Sequence, residues 1–127
     1  MSERTPISTD DAPAAIGPYS QAIRHGGILY CSGAIPLDPD GNEVGSTPAE
    51  QLDQCMRNLS AVAEAAGTSL ASALRLTIYT TRLEDFVSIN EAYAEWFDDD
   101  PPARAAVGVA ALPKGVLVEV DAIIAVG

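Results

Sequence analysis

The strongest constraint on the fold of this chain is an amphipathic helix predicted between Thr47 and Gly67. Thr47 occupies the N-cap position, Pro48 is the first helical residue, and Glu50 completes a capping box. Apolar residues then recur at three- and four-residue spacing, at Leu52, Cys55, Met56, Leu59, Val62, Ala63 and Ala66. Gly67 supplies the C-terminal stop. Because a helix of about five turns must bury such a stripe, we expect it to lie on a sheet.

Strand-like segments lie on both sides of this helix. They are an edge strand and turn within Ile7–Pro13, a hairpin of Ser20–His25 and Ile28–Gly33 around Gly26-Gly27, a strand at Leu74–Thr80, and two apolar strands within Pro102–Val126. Leu74–Thr80 alternates, which predicts that Leu74, Leu76 and Ile78 share the buried face. The last strand, Val116–Val126, is apolar at nearly every position, a pattern typical of residues buried on both faces.

A second helix is predicted from Leu83 to Phe97. Its apolar face consists of Phe86, Ile89, Tyr93, Trp96 and Phe97. Asn90 falls on the same stripe, and because a buried amide must be hydrogen-bonded, we expect it to fix a nearby loop. The fold prediction is therefore α+β: a single domain over residues 1–127 in which two helices pack on one face of a mixed six-stranded sheet. Association with further copies of the chain is the simplest way to bury the face of the sheet opposite the helices.

Composition excludes several classes of function. The net charge is −11, with 18 acidic residues and 7 scattered basic ones, so a nucleic-acid partner is not expected. No apolar run is long enough to span a bilayer, and the polar segment Met1–Asp11 is unlike a signal peptide, which predicts no membrane partner and a cytoplasmic location. Cys31 and Cys55 lack metal-ligand spacing and are predicted to be buried free thiols. His25, the only histidine, is predicted to face solvent.

The candidate chemistry lies in Pro102–Glu119. Two apolar runs flank a Leu112–Gly115 turn, a pattern typical of a hairpin or of two neighbouring strands, and each run carries one charge, Arg104 or Glu119. The charges could form a structural ion pair, face water at the sheet edge, or bind a ligand. A guanidinium grips a carboxylate with two parallel hydrogen bonds, and a glutamate in apolar surroundings can deprotonate water. As a ligand site, the pair indicates hydrolysis beside a carboxylate.

Four motifs, taken in order, resemble those of the RidA/YjgF family of enamine/imine deaminases, also called the endoribonuclease L-PSP family. They are Ala12–Ala22, Ser32–Pro36, Ile89–Tyr93 with Trp96-Phe97, and Pro102-Ala103-Arg104 followed by Leu112-Pro113-Lys114 and Val118-Glu119-Val120. The likeness extends over essentially the whole chain. The resemblance implies a chorismate-mutase-like fold assembled as a homotrimer, with an active site in each cleft between subunits.

The resemblance also implies an activity. It is the hydrolysis of imines such as 2-iminopropanoate, formed from 2-aminoacrylate, to a 2-oxo acid and ammonia, without a metal or other cofactor. Arg104 would bind the substrate carboxylate and Glu119 would position the attacking water. The residues that would line or brace the pocket are Tyr19, Ser32, Gly33, Asn90 and Ala106, with Tyr19 reaching in from a neighbouring subunit.

Two positions depart from the commonest family pattern. Ala34 stands where many members have glutamine, and Ala106 stands where some have cysteine. Two other functions stay open at this stage. One is a non-catalytic protein that binds 2-oxo acids through the same arginine, and the other is an endoribonuclease or translation inhibitor, against which the net charge argues.

Overall fold

Six strands form one mixed sheet in the computed structural model, which describes residues 3–127. The strands are β1 (Thr5–Ile7), β2 (Ala22–His25), β3 (Ile28–Ala34), β4 (Ala73–Thr80), β5 (Ala103–Gly108) and β6 (Val118–Ala125), and the helices are α1 (Pro48–Ala65) and α2 (Phe86–Ala94). The strand order is β1-β2-β3-β6-β4-β5, and only the β4–β5 pair is parallel. The α+β prediction of a six-stranded mixed sheet with two helices on one face is confirmed.

Helix α1 begins and ends where its sequence signals predict. The Thr47 side chain accepts a hydrogen bond from the Glu50 amide, and the Glu50 carboxylate accepts from the Thr47 amide in return. After Ala66, Gly67 adopts a φ of +82°, a conformation that favours glycine. All seven apolar residues of the predicted stripe are buried against the sheet. The main core therefore lies between α1 and the central strands, where Leu29, Leu76 and Ile124 are fully buried.

Two buried polar side chains of α1 connect this helix to the chain segments beside it. The Asn58 amide donates to the carbonyls of Ile35 and Leu37, at 3.0 and 2.9 Å. The Gln51 carbonyl accepts from the Leu117 amide at 2.7 Å. These bonds position the segment after β3 and the start of β6, the two strands that carry several candidate site residues.

The expectation that Arg104 and Glu119 lie on a hairpin or on neighbouring strands is wrong. Strand β4 lies between β5 and β6. The physical reason is the connection: β4, α2 and β5 form a parallel crossover, so β5 must pair along β4. Because β6 pairs with one edge of β4, β5 pairs with the other edge and is the end strand of the sheet.

Other boundaries differ from the sequence predictions. Leu74 is 47 % exposed, because the β4–β6 register shifts between Ala73 and Arg75 and turns this side chain out of the core. The second helix begins with a 3₁₀ turn at Leu83–Asp85, and its α-helical part ends at Ala94 rather than at Phe97. The edge strand β1 spans Thr5–Ile7, so only its last residue falls within the predicted Ile7–Pro13 segment.

The face of the sheet opposite the helices is not covered by any element of the described chain. Along β6, Val118, Val120, Ala122 and Ile124 are buried, whereas the alternate residues are only half-buried. The side chains of this second face include Tyr30, Thr77, Tyr79, Val107, Glu119, Asp121 and Ile123. We call it the open face. No helix within residues 3–127 combines the length and apolar character needed to cross a membrane.

Candidate functional site

Arg104 extends from the edge strand β5 toward helix α2. Its Nη1 donates to Oδ1 of Asn90 at 2.6 Å. Its guanidinium carbon lies 4.9 Å from the ring centre of Tyr93 and 5.2 Å from that of Phe86, distances typical of cation–π contacts. Phe86, Asn90 and Tyr93 follow each other at four- and three-residue spacing, so they form one stripe of α2. The helix thus presents three supporting groups to one arginine.

The positive charge of Arg104 has no carboxylate partner within residues 3–127. The ion pairs of this part of the chain join Arg57 to Asp53, and Arg82 to Glu84 and Asp85. Arg104 is exposed and lines a recess of about 500 Å³. The other lining residues are Asn90, Tyr93, Ala94, Phe97, Asp98, Pro101 and Pro102. An unpaired guanidinium beside a concave, partly aromatic surface is suited to a small carboxylate. We call this surface the Arg104 recess.

Glu119 lies on the open face, packed over Gly33. A Cβ atom at Gly33 would overlap Oε2 of Glu119 and would lie only 2.9 Å from its carboxyl carbon. Glycine is therefore needed at position 33 for the carboxylate to lie where it does. Burial, and to a lesser degree the negative charge of Asp121, raise the pKa of Glu119 above its usual range. The Tyr79 hydroxyl donates to Asp121 at 3.1 Å.

Tyr19 and Ser32 line one small cavity together with Gly33. The Ser32 hydroxyl donates to the Ser20 carbonyl at 2.6 Å, which fixes the segment after Tyr19. Tyr19 lies in a bend, it is 46 % exposed, and its hydroxyl accepts from the Ile16 amide at 3.2 Å. A small cavity of about 50 Å³ is lined in part by Tyr19, Ser32 and Gly33.

Within one chain the candidate residues form two separate groups. Arg104 pairs with Leu76 of β4, and Glu119 pairs with Tyr79, so two strand spacings and three residues along β4 separate them. Their Cα atoms are therefore about 14 Å apart. Leu76 is buried under the helices whereas Tyr79 lies on the open face, so the two charges project to opposite sides. An Arg104–Glu119 ion pair within the chain is excluded.

Three residues of α2 make contacts that the helix pattern did not predict. Asn90 is exposed and bonds to Arg104 instead of fixing a loop. The sequence prediction placed Phe86 and Tyr93 only on an apolar helix face and missed their contact with Arg104. The signal was present, because Asn90 interrupts the same stripe and needs a polar partner. Ala106 lies on β5 two residues after Arg104, on the same side of the sheet.

The described residues include two buried cysteines and no group of side chains that could hold a metal ion. Cys31 and Cys55 are free and buried, and burial raises the pKa of the Cys31 thiol to about 12 and that of Cys55 well above its usual range. His25 is exposed, as predicted. Within residues 3–127, no three His, Cys, Asp or Glu side chains are grouped so that they could hold a metal ion.

Comparison with known proteins identifies the family. The model of the family described as endoribonuclease L-PSP matches residues 9–126. The chain belongs to this family. A RutC family protein of Sinorhizobium fredii is 51 % identical over 120 residues, which are 94 % of this chain and 95 % of that protein. The 2-iminobutanoate/2-iminopropanoate deaminase of Homo sapiens is 41 % identical over 121 residues, covering 94 % and 88 % of the two chains.

The solved structures of this L-PSP family share the fold. The crystal structure of Escherichia coli TdcF with bound serine superposes with a TM-score of 0.92 at 37 % identity, over 97 % of this chain and 99 % of that one. The resemblance to the RidA/YjgF family is therefore confirmed.

Proposed function

We propose that this protein hydrolyses small 2-imino acids, of the 2-aminoacrylate/2-iminopropanoate class, to 2-oxo acids and ammonia. The observation that carries the proposal is the Arg104 guanidinium, which is exposed, unpaired with any carboxylate of residues 3–127, and supported by Asn90 and two aromatic rings. Such a guanidinium can receive both oxygens of a substrate carboxylate. The deaminase name of the human relative agrees with this choice of substrate.

Glu119 would supply the base. Its pKa is raised by burial, which makes the ionised carboxylate a better proton acceptor at neutral pH. A water molecule held by the carboxylate attacks the imine carbon while Glu119 takes its proton. Glu119 passes this proton to the imine nitrogen, which completes the carbinolamine. Glu119 then takes the proton of the new hydroxyl group and delivers it to the amino group, so that the C–N bond breaks, the carbonyl forms and ammonia leaves.

A single chain cannot bring both groups to one small substrate. Arg104 and Glu119 project to opposite sides of the sheet, about 14 Å apart at their Cα atoms. We therefore propose a homotrimer in which Glu119, Gly33 and Ser32 of one subunit face the Arg104 recess of the next, with Tyr19 also at the boundary. The uncovered open face, which carries Tyr30 and Ile123, supplies apolar surface for this assembly.

The decisive experiment times pyruvate release while a lyase generates 2-aminoacrylate. Addition of the protein should accelerate release in proportion to its concentration. If it binds pyruvate but leaves the release rate unchanged, it is a 2-oxo acid binding protein and not a deaminase.

Arg104→Lys tests the anchor with the net charge preserved. Lysine cannot make the two-pronged contact with a carboxylate, and a charge-assisted hydrogen bond contributes about 1.5–3 kcal/mol, so pyruvate affinity should fall at least about tenfold. Melting should stay close to that of the wild type. Arg57→Lys, on the exposed side of helix α1 and outside the recess, is the matched control and should keep full affinity. Unchanged calorimetric affinity in a folded Arg104→Lys variant would refute the assignment.

A further inference from the structure

The ring of Tyr93 is buried and lies against the Arg104 guanidinium. Tyr93 is only 5 % exposed, and its ring packs on Phe97 with 5.1 Å between ring centres. The guanidinium carbon of Arg104 lies 4.9 Å from the ring centre of Tyr93. A side chain on an edge strand would otherwise be free to sample many rotamers. A buried ring next to the charged group limits that freedom, because the cation is attracted to the ring face.

The Tyr93 hydroxyl contributes no hydrogen bond to this arrangement. It is a buried side-chain oxygen without a partner in the part of the chain from residue 3 to residue 127. An unsatisfied buried hydroxyl is unfavourable, and it carries no bond that would explain the choice of a tyrosine. The contact with Arg104 is made by the ring and not by the oxygen.

We propose that Tyr93 is a positioning residue for Arg104, and that it acts through the face of its aromatic ring. The proposal rests on the proposed function, because it concerns how the arginine is held ready for a carboxylate. Asn90 fixes one end of the guanidinium through Nη1, and the rings of Tyr93 and Phe86 restrict its tilt. The Nε–Nη2 edge is then presented in one orientation to the two oxygens of a ligand.

Two substitutions separate the ring from the hydroxyl. Tyr93→Phe keeps the ring and removes the unpartnered oxygen, so pyruvate affinity should stay within about twofold of the wild type, without loss of melting temperature. Tyr93→Leu removes the ring, and affinity should fall by about five- to thirtyfold. Ile89→Val, a fully buried change on the same helix, is the control for a general loss of core packing and should leave affinity unchanged.

NMR spectroscopy tests the position of the Arg104 side chain independently of catalytic activity. In the wild type and in Tyr93→Phe, ring currents should shift the Nε–Hε NMR resonance of Arg104 from its position in a free arginine. In Tyr93→Leu the resonance should move toward the free position.

Equal losses of affinity in the Phe and Leu variants would overturn the proposal, because the hydroxyl would then be the acting group. A Tyr93→Leu variant that keeps wild-type affinity, with the Arg104 resonance at its wild-type position, would overturn it as well. Pyruvate binding without imine turnover would refute only the deaminase activity, and the positioning role would stand.

Discussion

Gly33→Ala tests whether the carboxylate of Glu119 must lie where the structure places it. The φ angle of Gly33 is outside the left-handed region, so the backbone accepts alanine without strain. The new Cβ would lie 2.9 Å from the Glu119 carboxyl carbon and 3.2 Å from its Cγ, and would overlap Oε2. Ordinary contacts of a Cβ begin at 3.4 Å. The carboxylate must therefore swing away, and its oxygen must move by about 1 Å or more.

The expected effect is on catalysis rather than on folding. A displacement of about 1 Å in a catalytic group can reduce the rate by roughly 10²-fold, so kcat for imine hydrolysis should fall by about that factor. The flexible end of one glutamate side chain can move at little cost, so the free energy of unfolding should change by about 1 kcal/mol or less. Pyruvate affinity should persist, because Arg104 belongs to the other group of site residues.

The assay is steady-state hydrolysis of an imine generated in situ, with thermal melting to confirm folding. Gly108→Ala is the matched control, because its new Cβ would meet only the side chain of Leu83, at 3.2 Å. The double variant Gly33→Ala/Glu119→Gln should be no slower than Glu119→Gln alone, since both changes disable the same group. Wild-type kcat in a folded Gly33→Ala protein would refute the role given to the Glu119 carboxylate.

Three further predictions concern pH, stability and assembly. In the proposed mechanism the ionised form of Glu119 is the base, so the rate should fall as pH drops through its raised pKa; Asp121→Asn removes one cause of the raise, so the acid limb of the kcat profile should move to lower pH. Asn58→Ala removes two buried hydrogen bonds, to the carbonyls of Ile35 and Leu37, and should lower the free energy of unfolding by about 1–3 kcal/mol in urea titrations, whereas Asn42→Ala in an exposed turn should change it by about 0.5 kcal/mol or less. Tyr30→Glu adds a charge to the open face, where Tyr30 is 48 % exposed in the single chain, and light scattering should show that the mass falls from a trimer to a monomer. A trimer that survives Tyr30→Glu would contradict the use of this face for assembly.

The elements that could be predicted from the sequence are those whose signals lie within a few residues of one another. Helix α1 is the clearest example, because its capping box and its apolar stripe are local patterns. The Gly26-Gly27 turn is another, and both glycines have positive φ angles, +59° and +78°.

The neighbours of β5 could not be read from its own residues. Its position depends on the crossover through α2 and on the prior occupation of the other edge of β4. For the same reason the sequence named Arg104 and Glu119 correctly as unusual charges in apolar strands but implied that they adjoin. The bulge that exposes Leu74 has no local signal, since alternation continues through it.

The separation of Arg104 and Glu119 on opposite sides of one sheet has a consequence for mixed assemblies. In a closed ring of three subunits, each complete site would take its arginine from one chain and its glutamate from the next. A ring that mixes Arg104→Lys chains with Glu119→Gln chains then contains one boundary where an intact arginine meets an intact glutamate, whichever chain is in the majority. Two inactive proteins, unfolded and refolded together, would regain activity that neither has alone. Two defective copies of the gene in one cell, one encoding Arg104→Lys and the other Glu119→Gln, would therefore complement each other.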